Sequence, residues 1–333
     1  MKLPTFAYHR SNRLEDTLNA LHQWGPEAKI LAGGTDLIVS LKQRLLAPKI
    51  LVSLRDLDEL RSIREDPGEL VIGATTTLQD LIDSERVALS LPALRQAARS
   101  VGSRSIQHLR GTVGGNLCQQ TRCMYYNQSE FWRSARNPCY KLGGQTCFAE
   151  EKGQKCRSVC QSDLAPALLV YSAMLKIVGK NSERLLPLNS FYTGEGERPF
   201  DLAPHELLSE IRLSVPPPHS GANYQKLRFR SSIDYPIASA ACALSLRNEK
   251  LDTFRLAVGA LSAAPLMIRD ASTLLQGKAP NEQRFQEAAR MAEAQAKPHP
   301  VDNVGSTAAY RQNMVRVLAL RAMTEALKTA QGA

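Results

Sequence analysis

The sequence predicts an α+β protein. Strands and helices alternate around glycine-rich turns in its first two thirds, and the last third is an antiparallel sheet with helices on one face. Three observations carry this. Strand, glycine turn and helix succeed one another in AKILAGGTDLIVSLKQRLL (28–46), and a second such turn stands at RGTVGGNLCQ (110–119). Beyond residue 219 the pattern changes to alternating strands followed by two long amphipathic helices. An apolar content of 43% and a charged content of 22% fit a folded chain.

The elements follow in order. LEDTLNALHQWG (14–25) has apolar residues at helical spacing and ends at Gly25. Residues 29–32 read as a short buried strand, Gly33-Gly34 as a turn and 36–46 as a helix stopped by Pro48; KILVSL (49–54) is the next strand. ELVIGATTTLQDLIDS (69–84) reads as strand, threonine-rich turn and helix, with Thr75, Thr76 or Thr77 as the cap. LPALRQAARSVGS (91–103) is a helix with Pro92 in its first turn. SDLAPALLVYSAMLKIVGK (162–180) reads as a capped helix and a strand, PLNSFYTGEGERPF (187–200) as loop, and ELLSEIRLSVPPP (206–218) as a strand closed by prolines. YQKLRFR, IASAACALSLRN and DTFRLAVGALS are three strands, and 281–296 and 307–330 are the helices that cover them. The expected domains are 1–55, 56–218 and 219–333.

The net charge is +10, but lysines and arginines are scattered, with no nucleic-acid motif and no run of about eighteen apolar residues to span a membrane. A solvated basic surface or a face for an acidic protein fits better. The N-terminal MKLPTFAYHRSNRLEDTL lacks the apolar core of a secretory signal, so a cytoplasmic setting with reduced thiols is expected. Five of the seven cysteines lie in residues 123–160, and Cys118 stands just before. The spacing C-x15-C-x7-C-x8-C leaves an iron–sulfur cluster, zinc and unligated thiols all open. Tyr125, Tyr126, Phe131 and Trp132 are expected to pack this segment onto the rest, and Cys242 to be a small buried apolar residue.

AGGTD (32–36) and TVGGN (112–116) let the backbone approach a ligand closely, and consecutive N–H groups in such turns bind anions. Neither is a G-x-G-x-x-G or Walker loop, which disfavours a Rossmann domain. Together with SDLAPALL and YQKLRFRSSIDYPIA (Tyr224, Lys226, Arg230, Asp234), the two turns resemble, in order, four segments of the FAD subunits of molybdenum hydroxylases. That family includes xanthine dehydrogenase and aerobic carbon monoxide dehydrogenase. The resemblance implies a vanillyl-alcohol-oxidase-like (PCMH-type) FAD-binding domain of two α/β subdomains plus a C-terminal α+β domain. It implies that Ile30, Leu31, Ala32, Gly33, Gly34, Thr35, Asp36 and Leu37 wrap the FAD pyrophosphate. Thr112, Gly114, Gly115 and Asn116 would then hold the phosphate and ribitol side, and Ser162 and Asp163 the adenosine half. Lys226 would stand near the isoalloxazine, with Leu207 or Leu208 against the ring.

About forty residues between Asn116 and Ser162 depart from most of that family. NLCQQTRCMYYNQSEFWRS resembles the matching segment of 4-hydroxybenzoyl-CoA reductase β subunits, in which an inserted loop carries a 4Fe-4S cluster. The resemblance implies Cys123, Cys139, Cys147 and Cys156 as its ligands, with Cys118 and Cys160 as spares. It implies an electron-transfer subunit in a dimer of heterotrimers. A molybdenum-cofactor large subunit, a 2Fe-2S small subunit and a ferredoxin donor would be the partners, and no catalytic residue would lie in this chain. The rival expectations are the FAD subunit of a xanthine or N-heterocycle dehydrogenase, a zinc-stabilised binding protein, and a free-standing flavin oxidase using His108.

Overall fold

The computed structural model describes residues 2–300 and 306–332. Three sheets organise them. The first is parallel, with β1 (Ala7–Arg10), β2 (Ala28–Leu31) and β3 (Ile50–Ser53) in the order β1-β3-β2. The second is antiparallel and contains β4 (Ile63–Asp66), β5 (Glu69–Gly73), β6 (Met174–Gly179), β7 (Ser182–Pro187) and β8 (Leu207–Ser214), in the order β4-β5-β8-β6-β7. The third is antiparallel, with β9 (Ser220–Leu227), β10 (Ala238–Arg247), β11 (Lys250–Gly259) and the short β12 (Leu266–Met267) in reverse chain order. This is the α+β architecture read from the sequence.

The helix Leu14–Trp24 buries Thr17, Leu18, Ala20 and Leu21 against Ile50 and Val52 and stops at Gly25, whose φ of 50° favours glycine. Val178 and Leu207 join the same core, so the first sheet is packed against the second. The helix Leu78–Asp83 starts at Thr77: its hydroxyl accepts from the Asp80 N–H, and the Asp80 carboxylate accepts from the Thr77 N–H. Of the three threonines, Thr77 is therefore the cap. Thr77→Ala should cost about 1 kcal/mol, read as a shift in the urea midpoint.

Three expectations are corrected. The helix expected over 36–46 runs only Leu37–Lys42, because Arg44 turns to φ 57° and the carbonyls of Gln43 and Arg44 accept from Arg133 at 3.0 Å each. The TVGGN segment is not merely a turn but the short helix Val113–Leu117, capped by Thr112. Residues 187–200 are not all loop: Leu188–Phe191 is helical, because Phe191 is fully buried and stacks on Phe200 at 5.3 Å.

On the third sheet, Ala319, Ala322, Met323 and Ala326 of the helix Ala308–Gln331 face the strands. Gly221 permits this contact, since a Cβ there would lie 1.9 Å from the Ala326 carbonyl oxygen. The opposite face is covered as well, because Ala222, Tyr224, Ala241 and Ala257 share the core of the helices Pro92–Ser100 and Leu164–Val170. No helix among the described residues is long and apolar enough to cross a membrane.

Candidate functional site

The first glycine turn leaves the end of β2. Gly34 takes φ +75°, and Gly33 lies so close to the chain at Arg110 that a Cβ would stand 1.7 Å from its carbonyl oxygen. The two glycine turns therefore touch back to back. Among the described residues, no backbone acceptor takes the N–H groups of Gly33, Gly34, Thr35 or Asp36. Such a run of free donors is an anion-binding nest.

The second turn is built differently. Its Val113 and Gly114 N–H groups donate to Thr76 and Ala74 oxygens at 2.9 and 2.8 Å, which zips it onto the end of β5. The Gly115 N–H donates to Thr112 Oγ1 at 3.0 Å. Asn116 Oδ1 accepts from Ser162 Oγ at 2.7 Å and from the Leu164 N–H at 3.3 Å. The Val113, Gly114 and Gly115 N–H groups are thus committed within the fold, while the Asn116 side-chain NH2 and the Thr112 N–H have no acceptor among the described residues.

Both turns line one cavity of about 320 Å³. Of the residues expected at a cofactor, Ile30, Ala32, Gly33, Gly34, Thr35, Asp36, Leu37, Thr112, Gly114, Gly115, Asn116, Asp163 and Leu208 line it. Leu31, Ser162 and Lys226 do not. Leu31 alternates with Ile30 and Ala32 along the strand and points to the other face. Ser162 turns inward, donating to Asn116 and accepting from the Ala165 N–H at 3.1 Å. His108 also lies outside the lining, and burial pushes its imidazole below the ordinary value.

Lys226 sits behind the wall rather than in the cavity. Its ammonium donates to Asp163 Oδ2 at 3.0 Å and to the Ser100 carbonyl at 2.9 Å, and Tyr224 donates to Asp163 Oδ1 at 2.6 Å. The Lys226 and Asp163 side chains are 5% and 4% exposed. Burial pushes the carboxyl up and the ammonium down, and each charge opposes the shift of the other. Sequence reasoning missed several further lining residues, among them Cys118, Gln119, Gln161 and Tyr235, while Arg230 and Asp234 of the quoted motif line the cavity although no role was given to them. The only signal for the two glutamines was their place at the ends of the cysteine-rich segment, next to the GGN and SD motifs.

That segment is held down mainly by Arg133, which reaches the helix end at Gln43 and Arg44, and by Arg122, whose guanidinium lies 3.3 Å from Asp36 and 4.5 Å over the Tyr235 ring. Phe131, expected as an anchor, is 89% exposed. Its neighbours Tyr125 and Trp132 instead cluster with Phe148 around Arg136, while Tyr126 is buried. Cys160 belongs to the large core with Tyr192, and Cys242 is fully buried in β10. Cys118 faces the cavity, where burial pushes its thiol up to about 12.

All seven cysteines are free thiols. Burial pushes Cys123 up to about 11, and the charges of Cys156 and Cys147 add to that shift. Burial pushes the Lys141 ammonium down to about 8, against the fields of Cys156, Cys123 and Cys139. Lys141 donates to the Thr121 carbonyl at 2.8 Å. No three Cys, His, Asp or Glu side chains among the described residues converge as a metal site, so the expected ligand set is not seen as a formed coordination shell.

Residues 4–217 match the FAD binding domain in molybdopterin dehydrogenase, and residues 222–326 match the CO dehydrogenase flavoprotein C-terminal domain. The chain belongs to this flavoprotein family. It is 29% identical over 322 residues to the carbon monoxide dehydrogenase medium chain of Afipia carboxidovorans, covering 97% of this chain and 96% of that one. It is 26% identical to the xanthine dehydrogenase FAD-binding subunit of Escherichia coli O157:H7, over 98% and 97% of the two chains. The fold superimposes on reconstituted CO dehydrogenase from Oligotropha carboxidovorans with a TM-score of 0.81 at 28% identity, covering 99% of this chain and 100% of that one. The family's FAD-binding assignment fits the cavity. Free N–H groups of the first turn suit a pyrophosphate, and Leu207 and Leu208 at the start of β8 supply an apolar wall.

Proposed function

We propose that the chain is the FAD- and 4Fe-4S-carrying electron-transfer subunit of a heteromeric molybdenum enzyme of the 4-hydroxybenzoyl-CoA reductase type. The observation that carries this reading is the placement of the cysteine segment. Its two stems, at Cys118–Gln119 and Gln161, form part of the cavity wall, and its thiols are free. Gly33 to Asp36 would hold the pyrophosphate through their N–H groups, and Asp163 would stand at the wall with its carboxylate fixed by Tyr224 and Lys226. Cys123, Cys139, Cys147 and Cys156 would supply the four thiolates that such a cluster needs. FAD and the cluster supply one- and two-electron transfer, with no substrate bond made or broken in this chain.

In this reading, reductive dehydroxylation of 4-hydroxybenzoyl-CoA to benzoyl-CoA belongs to a separate molybdenum subunit, joined through a 2Fe-2S subunit in a cytoplasmic dimer of heterotrimers. An acidic ferredoxin is the proposed donor, for which a net charge of +10 favours encounter. A second reading is favoured by the relatives named xanthine dehydrogenase FAD-binding subunit and, from Eubacterium barkeri, nicotinate dehydrogenase FAD-subunit. There the assembled enzyme acts on an N-heterocycle and the cysteine segment holds no cluster. Iron in the parent protein separates the two, and Cys139→Ser tests the ligand set. The cluster reading expects the variant to lose its iron while keeping FAD; iron equal to that of the parent protein would remove Cys139 from the ligand set.

A further inference from the structure

Two carboxamides in the cavity wall have no partner. Gln161 is 2% exposed, and neither its Nε2 nor its Oε1 meets a hydrogen-bonding group. The Nε2 of Gln119 is likewise buried and unpartnered, and both residues line the cavity. Beside them, Asn116 Oδ1 accepts from Ser162, and Asp163 accepts from Tyr224 and Lys226. A buried amide left unpaired is costly, and a folded chain retains one where something else completes it. Both residues line the cavity, so a ligand that fills it is placed to complete them.

The chemistry of the pair narrows the choice. A phosphate presents acceptors only, so it would repel Gln161 Oε1, and the first glycine turn already offers it free donors. A carboxamide carries a donor and an acceptor side by side. That pattern is complementary to a planar nitrogen heterocycle whose edge carries the reverse pair. Adenine has such an edge at its amino group and ring nitrogen, and the flavin pyrimidine ring has one at its imide. We infer that Gln161 is a positioning residue that hydrogen-bonds a heterocycle edge of bound FAD through both amide atoms, with Gln119 adding one donor. This rests on the FAD reading above. It assigns to the end of the cysteine segment a direct part in orienting the cofactor.

The test titrates FAD, ADP and FMN into the full-length protein and into Gln161→Leu and Gln161→Glu, with the melting midpoint of each ligand-free chain measured alongside. Gln161→Leu should weaken FAD by about ten-fold to a hundred-fold, the size of two hydrogen bonds. Its ligand-free midpoint should stay the same or rise, because two orphaned polar atoms have been removed. Gln161→Glu should weaken FAD as well, having lost the donor. A loss shared by ADP but not FMN places the contact on adenine; a loss shared by FMN but not ADP places it on the flavin ring. Unchanged FAD affinity in both variants, or a ligand-free midpoint that falls in step with affinity, overturns the inference. Failure of the unaltered protein to bind FAD would overturn the FAD reading itself.

Discussion

Lys226→Met should cost about 3–5 kcal/mol of stability near neutral pH, because it leaves a carboxylate buried without its cation. Asp163 is 4% exposed and would keep the Tyr224 hydroxyl but no cation; the Ser100 carbonyl would lose its shorter donor and keep only Arg228 at 3.5 Å. Lys226 stands on β9 of the C-terminal sheet, Asp163 starts the helix Leu164–Val170, and Ser100 ends the helix Pro92–Ser100. The substitution therefore loosens the seam between the family's two matched regions. The sign of the pH effect follows. Burial already pushes the Asp163 carboxyl up, and without Lys226 it moves further in that direction. A folded value above the unfolded one favours the protonated folded state at low pH and is lost as pH rises through the folded value. The deficit of the variant should therefore shrink between pH 7 and pH 5. Urea unfolding at both pH values measures it, and an equal deficit at both would show that the ion pair is not its source.

Gly33→Ala should empty the cavity. The new Cβ would stand 1.7 Å from the Arg110 carbonyl oxygen and 2.6 Å from its carbon, and backbone cannot step aside as a side chain can. Either the turn after β2 or the chain at 110–112 must retreat, and both are cavity walls. We expect flavin content, read from absorbance near 450 nm against protein, to fall by about ten-fold or more, with a stability loss of about 1–3 kcal/mol. Gly115→Ala is the contrast. Its Cβ meets only Thr112 Oγ1, at 2.8 Å, so the hydroxyl can rotate away for roughly the loss of one helix cap, about 1 kcal/mol. Equal flavin content in the Gly33→Ala protein and its parent would mean that the contact between the two turns does not shape the site.

These two cases show what was legible. The glycine pairs marked both turns, but the reason for Gly33 is a contact with Arg110, which no local pattern reveals. The order of Asp163, Tyr224 and Lys226 along the chain pointed to one site, yet not to the ion pair that turns Lys226 away from the cavity. Leu31 was assigned with its neighbours through the backbone, and it is absent from the cavity lining that Ile30 and Ala32 share. In the cysteine segment, aromatic area suggested Phe131 as an anchor, whereas Arg133 makes the attachment through the carbonyls of Gln43 and Arg44, just past the helix end at Lys42. Gln161 carried no signal beyond its place before the SD motif, because being unpaired is a property of its surroundings rather than of its type.

The most direct test of the account is the ratio of iron and acid-labile sulfide to FAD in protein purified without oxygen. The account predicts about four irons and four sulfides per FAD, as one 4Fe-4S cluster requires. FAD with no iron or sulfide, or zinc in their place, would contradict the cluster and leave the chain a flavin subunit alone.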